Sequence, residues 1–552
     1  MAELTIVFRL RFAIAVTVAL TLVLAFQARE AFAEEGIPAE YIVQMDMGVA
    51  PVQGQQIVAE LGGQVTTGDV SVINGFGAVL QDDAAEELVN STGVRAVTPN
   101  SATAPVPSPT TPEPNNAVAE SGGLRCPTSN STTIPSGLGR TSLLDVNPLN
   151  ALPLLRQPLQ VTTRADRAWQ RATGRGVGVA VVDTGIAGDL PDFVTAGQSR
   201  VIATAVTNPC ARNANDQVGH GTHVAGLIAG NSMNHPGLRK LTGKYMGIAP
   251  RANLVSVKVS DDDGDTTVLD VINGIQFVVD HKAEFGIRVM NLSLSSTVAE
   301  SYKTDPLDAA VEAAWFSGIT VVAAAGNDGI APDAVSYSPG NDPYVISVGA
   351  LDDRGSNRLD DDVLAPWSSR GLTQDGVRKP ELLAPGNRLV APLAPNSDFE
   401  RLCRRCMISH SYFRLSGTSM ASGVVSGVAA LMLERNPNLT PNQVKGAMMA
   451  TLRNVPGAGA AVEANAALDG NGTANAGLVP NSLIDPATGL IDWARASFRR
   501  ASFRDASGSP FSTSWTRASF RCDCGLDASG EVDQNRVSFR RVSFRRTVDF
   551  DR

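Results

Sequence analysis

Five near-continuous apolar runs lie between residues 155 and 458: Val177 to Val182, Leu254 to Val259, Val289 to Leu294, Ile319 to Ala325 and Tyr344 to Val348. Each has the length of a strand, is largely apolar, and is set apart from the next by a helix-length segment. A strand that is apolar on both faces has to be covered on both, and crossover helices do this in parallel sheets. The spacing therefore predicts an α/β domain over 155–458: three layers, with a central mostly parallel sheet. At 43% hydrophobic residues the 552-residue chain has ample material for such a core, which excludes wholesale disorder.

The flanks read differently. Arg9 and Arg11 precede an apolar run from Phe12 to Phe26, followed by Ala31-Phe32-Ala33. A basic start, a short hydrophobic stretch and an A-x-A end predict a secretory signal over 1–33, and the run is short for a membrane span. Residues 34–100 hold a small α+β unit. Tyr41 to Met45 alternates like a strand, Val52 to Leu61 has helical spacing, and Val65 to Leu80 reads as two strands broken at Asn74-Gly75. Ala84 to Val89 is again helical and Val94 to Val97 strand-like. The order β-α-β-β-α-β predicts a ferredoxin-like fold. Residues 101–154 have the Pro, Ser and Thr content of a linker. In 459–552, Ala-Ser-Phe-Arg recurs at 496–499, 501–504 and 518–521, and Val-Ser-Phe-Arg at 537–540 and 542–545. That extension reads as low complexity. The whole chain carries −9, yet 12 Arg against 7 acidic residues leave 495–552 at +5. An acidic remainder argues against nucleic acid as a partner.

Cys126, Cys210, Cys403, Cys406, Cys522 and Cys524 make an even set, which permits disulfides in an exported chain. Cys403-Arg-Arg-Cys406 admits a local bridge, a redox pair or half of a zinc site, but no second C-x-x-C completes a tetrahedron.

Three motifs carry chemistry. Val179-Ala-Val-Val-Asp183-Thr-Gly185 ends a buried strand in a carboxylate. His220-Gly-Thr-His223 opens a small-residue helix with an imidazole. Leu415-Ser-Gly-Thr-Ser419-Met-Ala421 places a hydroxyl where a loop enters an apolar helix. A serine hydroxyl needs a base to take its proton and a carboxylate to orient that base. The Gly residues at 174, 176 and 178 precede the strand instead of following it, so they are no dinucleotide loop, and His220 with His223 lacks the H-E-x-x-H of a metallopeptidase. Asp, then His, then Ser is the chain order of subtilisin.

On these motifs, over roughly 155–458, the sequence resembles the subtilisin-like serine peptidases. The resemblance implies that Asp183 orients the imidazole, His220 is the general base and Ser419 the nucleophile. Asn327, in Ala323-Ala-Ala-Gly326-Asn327, would donate to the oxyanion. Lys258 to Gly264 and Asn291 to Ser296 resemble the two edges between which an extended substrate pairs, so Gly264, Ser293, Leu294, Ser295 and Gly326 are implied substrate-binding residues. No metal or cofactor is implied for the chemistry. Structural calcium is compatible with the family, with no ligand set assigned, and the acidic turn Asp261 to Asp265 lacks an EF-hand pattern.

The family usually has Gly-Gly where this chain has Ser295-Ser296, which implies a narrower or more polar S1 pocket. Its usual Pro-His after the nucleophile is Gly423-Val424 here, a change in helix packing. Arg401 to His410 reads as an inserted loop. The 34–100 unit resembles the inhibitory propeptide of such enzymes, which implies a self-processing precursor inhibited intramolecularly by its own propeptide. The expectation is a secreted or cell-envelope serine endopeptidase acting on protein or peptide substrates through an acyl-enzyme, with a mature form that is not an integral membrane protein. The rival is an inactive binding or scaffold protein of the same fold.

Overall fold

The computed structural model describes residues 39–46, 48–100, 131–133, 147–233, 241–482, 484 and 513–514. The signal segment, most of the linker and nearly all of the repeat tail lie outside the described residues.

The N-terminal unit runs β1 (Ala39–Met45), α1 (Pro51–Glu60), β2 (Gln64–Val65), β3 (Gly75–Leu80), α2 (Asp82–Val89) and β4 (Val94–Pro99). Its sheet has the order β2-β3-β1-β4 with every pair antiparallel. The second of the two strands expected between Val65 and Leu80 forms as β3, but the first is only β2. Val70 to Ile73 leaves the sheet because Ser71–Ile73 turns as a 3-10 helix that ends on Asn74 in the left-handed region (φ 45°). This turn sits on two helices of the main domain, and Ile42, Val70, Val72 and Ile73 join that domain's core.

The main domain is built on seven parallel strands: β5 (Gly178–Asp183), β6 (Val201–Val206), β7 (Asn253–Lys258), β8 (Ile287–Leu292), β10 (Thr320–Ala324), β11 (Ile346–Asp352) and β12 (Leu382–Pro385), with the short strand β9 (Ser295–Ser296) outside this sheet. Their spatial order is β12-β11-β10-β8-β5-β7-β6. The first four predicted runs coincide with β5, β7, β8 and β10 within two residues at each end, and the fifth overlaps β11, which runs four residues further. Two strands lacked their signal. Val201–Val206 alternates buried and half-buried residues, and Leu382–Pro385 is short and ends in proline.

Chain direction across the sheet reverses around β5: the chain goes first to β6 and β7, then to β8 and onward. Crevices at the carboxyl ends of strands beside such a reversal are where open α/β sheets bind ligands. Helices α3 (His220–Ala229) and α7 (Thr418–Arg435) cover one face, and α4 (Val268–Asp280) and α5 (Pro306–Phe316) the other. The parity of β5 makes this concrete, since Val182 points at Gly274 of α4 while the next residue, Asp183, meets His220 of α3. The chain from Thr418 to Leu433 is buried throughout α7, as a helix apolar all round requires. Gly423 packs closely on the neighbouring helix: a Cβ there would lie 3.3 Å from Val224 Cγ1 of α3.

Packing continues past residue 458. Asn481 is buried, its backbone N–H donates to both carboxylate oxygens of Glu312 (3.0 and 2.8 Å), and Ile484 lies in the core. The end of the linker is also built in: Asn147 caps the short helix Pro148–Ala151, and Ala151 is buried. Ser131–Thr133 pairs antiparallel with β6. Among the described residues no helix is long and apolar enough to cross a membrane.

Candidate active site

Two of the motif side chains, Asp183 and His220, meet at the carboxyl end of β5. Asp183 is the last residue of that strand, and its Oδ1 accepts from Thr184 N (2.7 Å) and faces His220 Nδ1 at 2.7 Å. Both partners are fully buried. His220 is the first residue of α3. Sequence reasoning passed over what holds it there. Asp216, buried, accepts from Gly219 N (2.7 Å) and Thr222 N (2.8 Å), while Thr184 Oγ1 donates to it and accepts from Gly221 N. Burial raises the Asp216 carboxyl above its ordinary range, against hydrogen bonds that pull it down. Its legible signal was an acidic residue three positions before Gly219-His220.

The second motif histidine, His223, faces away. Its Nε2 lies 3.0 Å from the carbonyl of Phe413, and burial lowers its pKa to about 3, which keeps the ring neutral. It is a packing residue of α3, and among the described residues no group of His, Cys, Asp and Glu could hold a metal ion.

Ser419 enters as the second residue of α7. Its Oγ donates to the carbonyl of Ser293, 3.2 Å away, just past β8. Ser293 and Ser422 tie that end of the helix down: Ser422 Oγ and Ser293 Oγ both donate to Ser419 O (2.8 and 3.1 Å), and Asn291 Nδ2 donates to Ser293 Oγ. In this way a polar seam inside an apolar core fixes the turn that presents the hydroxyl.

Asn327 follows β10. Its Oδ1 accepts from both Thr418 N (3.0 Å) and Thr418 Oγ1 (3.1 Å), whereas its Nδ2 is buried without a hydrogen-bond partner. Gly326 N donates to the same Thr418 hydroxyl. Thr418, to which the sequence reading assigned no role, thus sets the Asn327 amide one way round. A buried donor left open is costly unless something arrives to fill it.

The implied substrate-binding residues fall on both sides of this centre. Ser293, Leu294, Ser295 and Ser296 continue from β8 and are buried, and Ser295 Oγ has no partner. Backbone pairing joins β9 antiparallel to Thr513–Ser514, with Ser295 opposite Ser514 and Ser296 opposite Thr513. Gly264 lies in the turn after β7, where Asp261 Oδ1 accepts from Asp263 N and Asp265 N (2.9 Å each). Asp262 pairs with buried Lys258 (2.8 Å) and with Arg212 (2.7 Å). The acidic turn is therefore organised by its own backbone amides and two cations. Cys403 and Cys406 form the local bridge, and Cys210 is also disulfide-bonded.

A parallel α/β fold with a buried Asp–His pair, a helix-start serine and an open amide donor at one sheet end defines a serine-hydrolase type of site. Comparison with known proteins narrows the class. The model of the subtilase family matches residues 174–472, more than half of the chain, and the chain belongs to that family. It is 41% identical over 285 residues to the serine protease AprX of Bacillus subtilis, a match covering 50% of this chain and 62% of that one. It is 33% identical over 284 residues to subtilisin DY of Bacillus licheniformis, covering 51% and 85%. The fold is also that of fervidolysin from Fervidobacterium pennivorans, a keratinolytic enzyme related to subtilisin, with a TM-score of 0.54 at 22% identity over 81% of this chain and 63% of that one.

Proposed function

We propose that the chain is an exported serine endopeptidase that cuts peptide bonds through an acyl-enzyme. The observation that carries this reading is the Asn327 amide: its oxygen is tied up by Thr418 while its buried nitrogen stays open beside the nucleophile's helix. A donor held in that state stabilises charge that exists only in the tetrahedral transition state. Ser419 attacks the carbonyl carbon and its proton passes to His220, which later gives it to the leaving amine. Asp183 keeps the imidazole in the tautomer that can do both. Water then releases the acyl group along the same path.

Pairing of Thr513–Ser514 on Ser295–Ser296 supports the view that this edge takes an extended peptide through its backbone. The docking of the 34–100 unit on α4 and α5 supports reading it as a propeptide. Asn100 Oδ1 accepts from Leu269 N (3.1 Å), and Val72 N donates to Gln276 Oε1. Such a unit would leave the chain on its way into the cleft, inhibiting the enzyme until self-processing removes it. Secretion follows from the 1–33 signal. The buried Asp183–His220 pair and the Asn327 amide support the enzyme over a scaffold role. Incubation with a phenyl-sulfonyl fluoride followed by peptide mass spectrometry tests the reading: a covalent adduct at Ser419 supports it, and a folded chain that takes up none refutes it.

A further inference from the structure

The segment 397–402, which leads into the 401–410 loop before the nucleophile, packs against the residues just before His220. Helix α6 (Asp398–Leu402) has five residues, too few to hold by itself. It is closed at its end by Cys403, whose N–H donates to Phe399 O (3.3 Å) and which is bridged to Cys406. From this helix Asp398 N donates to Gln217 O (2.7 Å) and Phe399 N to Val218 O (3.2 Å). The Phe399 ring is buried and stacks on Phe413, with centroids 5.1 Å apart.

Between Val218 and His220 stands Gly219 at φ 101°, a conformation with little intrinsic restraint for glycine. A Cβ at this position would lie 2.9 Å from Ser397 Oγ and 3.1 Å from Phe399 Cδ2. The glycine is therefore fixed from one side by Asp216, through its N–H, and from the other by Ser397 and Phe399. Phe413 extends the clamp, since its carbonyl faces His223 one turn further along α3.

We infer that Phe399, carried by the short helix that runs into the Cys403–Cys406 bridge, is a positioning residue for the general base, holding Gly219 so that the His220 imidazole stays aligned for proton transfer. This rests on the reading of His220 as that base. Freedom at Gly219 swings the ring off line without touching the surface on which substrate pairs, so the loss falls on turnover and leaves binding intact. Misplacement of a catalytic group by about 1 Å costs about 10²-fold.

The test compares the full wild-type chain with Phe399→Ala, Phe399→Leu and the double variant Cys403→Ala/Cys406→Ala. Val455→Ala, in a separate small core cluster, serves as a destabilised control. Expected are a 10- to 100-fold fall in kcat for Phe399→Ala with KM within about twofold, partial recovery in Phe399→Leu, a smaller fall for the cysteine pair, and no change in the control beyond its unfolded fraction. Amide hydrogen exchange over 217–221 gives a reading independent of activity, with faster exchange expected in Phe399→Ala. Unchanged exchange over that stretch, or a kcat loss that only tracks stability as in the control, overturns the inference. An inactive wild type would sink the peptidase reading alone, and exchange would still decide the positioning role. Should Phe399→Ala fail to fold, Phe399→Leu and the cysteine pair carry the same comparison.

Discussion

His220 Nδ1 and Asp183 Oδ1 lie 2.7 Å apart, both fully shielded from solvent, and the contact joins the end of the central strand to the start of a helix on one face of the sheet. A carboxylate in that place works by orienting the ring, so its charge matters less as stored stability than as a constraint on the tautomer. Replacing Asp183 with Asn keeps the shape and reverses the preferred tautomer. Steady-state hydrolysis of an extended peptide should show kcat reduced by about 10⁴-fold with KM little changed.

Asn327 should behave as a pure transition-state group. For Asn327→Leu, kcat is expected to fall about 10²–10³-fold at nearly constant KM. Thr418→Val removes one of the two bonds that orient the amide and should give a smaller loss of the same kind. A rise in KM without a fall in kcat, measured on the same peptide, would place Asn327 in ground-state binding instead.

A pH effect follows from Asp270, in the capping box at the start of α4. Burial pushes its pKa up to about 7, despite bonds from Thr267 N and Oγ1, and Glu40 of the N-terminal unit adds like charge. The folded state therefore holds this proton more tightly than the unfolded state, where the value is about 3.9. Stability is full at acid pH and is lost as pH rises from about 4 to about 7. Asp270→Asn should flatten that part of the profile in denaturant titrations across this range. A slope unchanged by the substitution would count against the assignment.

The strap beyond residue 458 should be part of the folding unit. Asn481 Nδ2 donates to the carbonyls of Tyr302 and Asp305, its N–H serves the buried Glu312, and Tyr344 OH donates to Leu478 O. Chains ending at 484 should keep the thermal midpoint of the full chain. Chains ending at 458 leave a buried carboxylate without its donors, which costs roughly 1–3 kcal/mol for each group stranded. Calorimetry on the two truncations separates these outcomes.

Much of this architecture is legible in the sequence for a definite reason. Parallel strands buried on both faces write apolar runs, and the proposed catalytic groups stand in short recognisable contexts: Asp183 at a strand end, Asn327 past another, His220 and Ser419 at helix starts. What stays hidden depends on contacts distant in sequence. Asp216 and Thr418 act by accepting or orienting backbone and amide groups, which leaves no periodic mark. Phe399 matters only because its loop folds back on Gly219. Val70 to Ile73 has strand composition, yet it turns as a 3-10 helix where it meets α4 and α5, so tertiary packing overrides local preference.

The nucleophile is tested most directly by the full chain carrying Ser419→Ala, expressed beside the wild type. Peptidase chemistry at this serine predicts that the variant accumulates with its N-terminal unit uncut and that casein hydrolysis falls by about 10⁶-fold, while the fold is retained. A variant that trims its own N-terminus and digests casein at the wild-type rate would contradict the account.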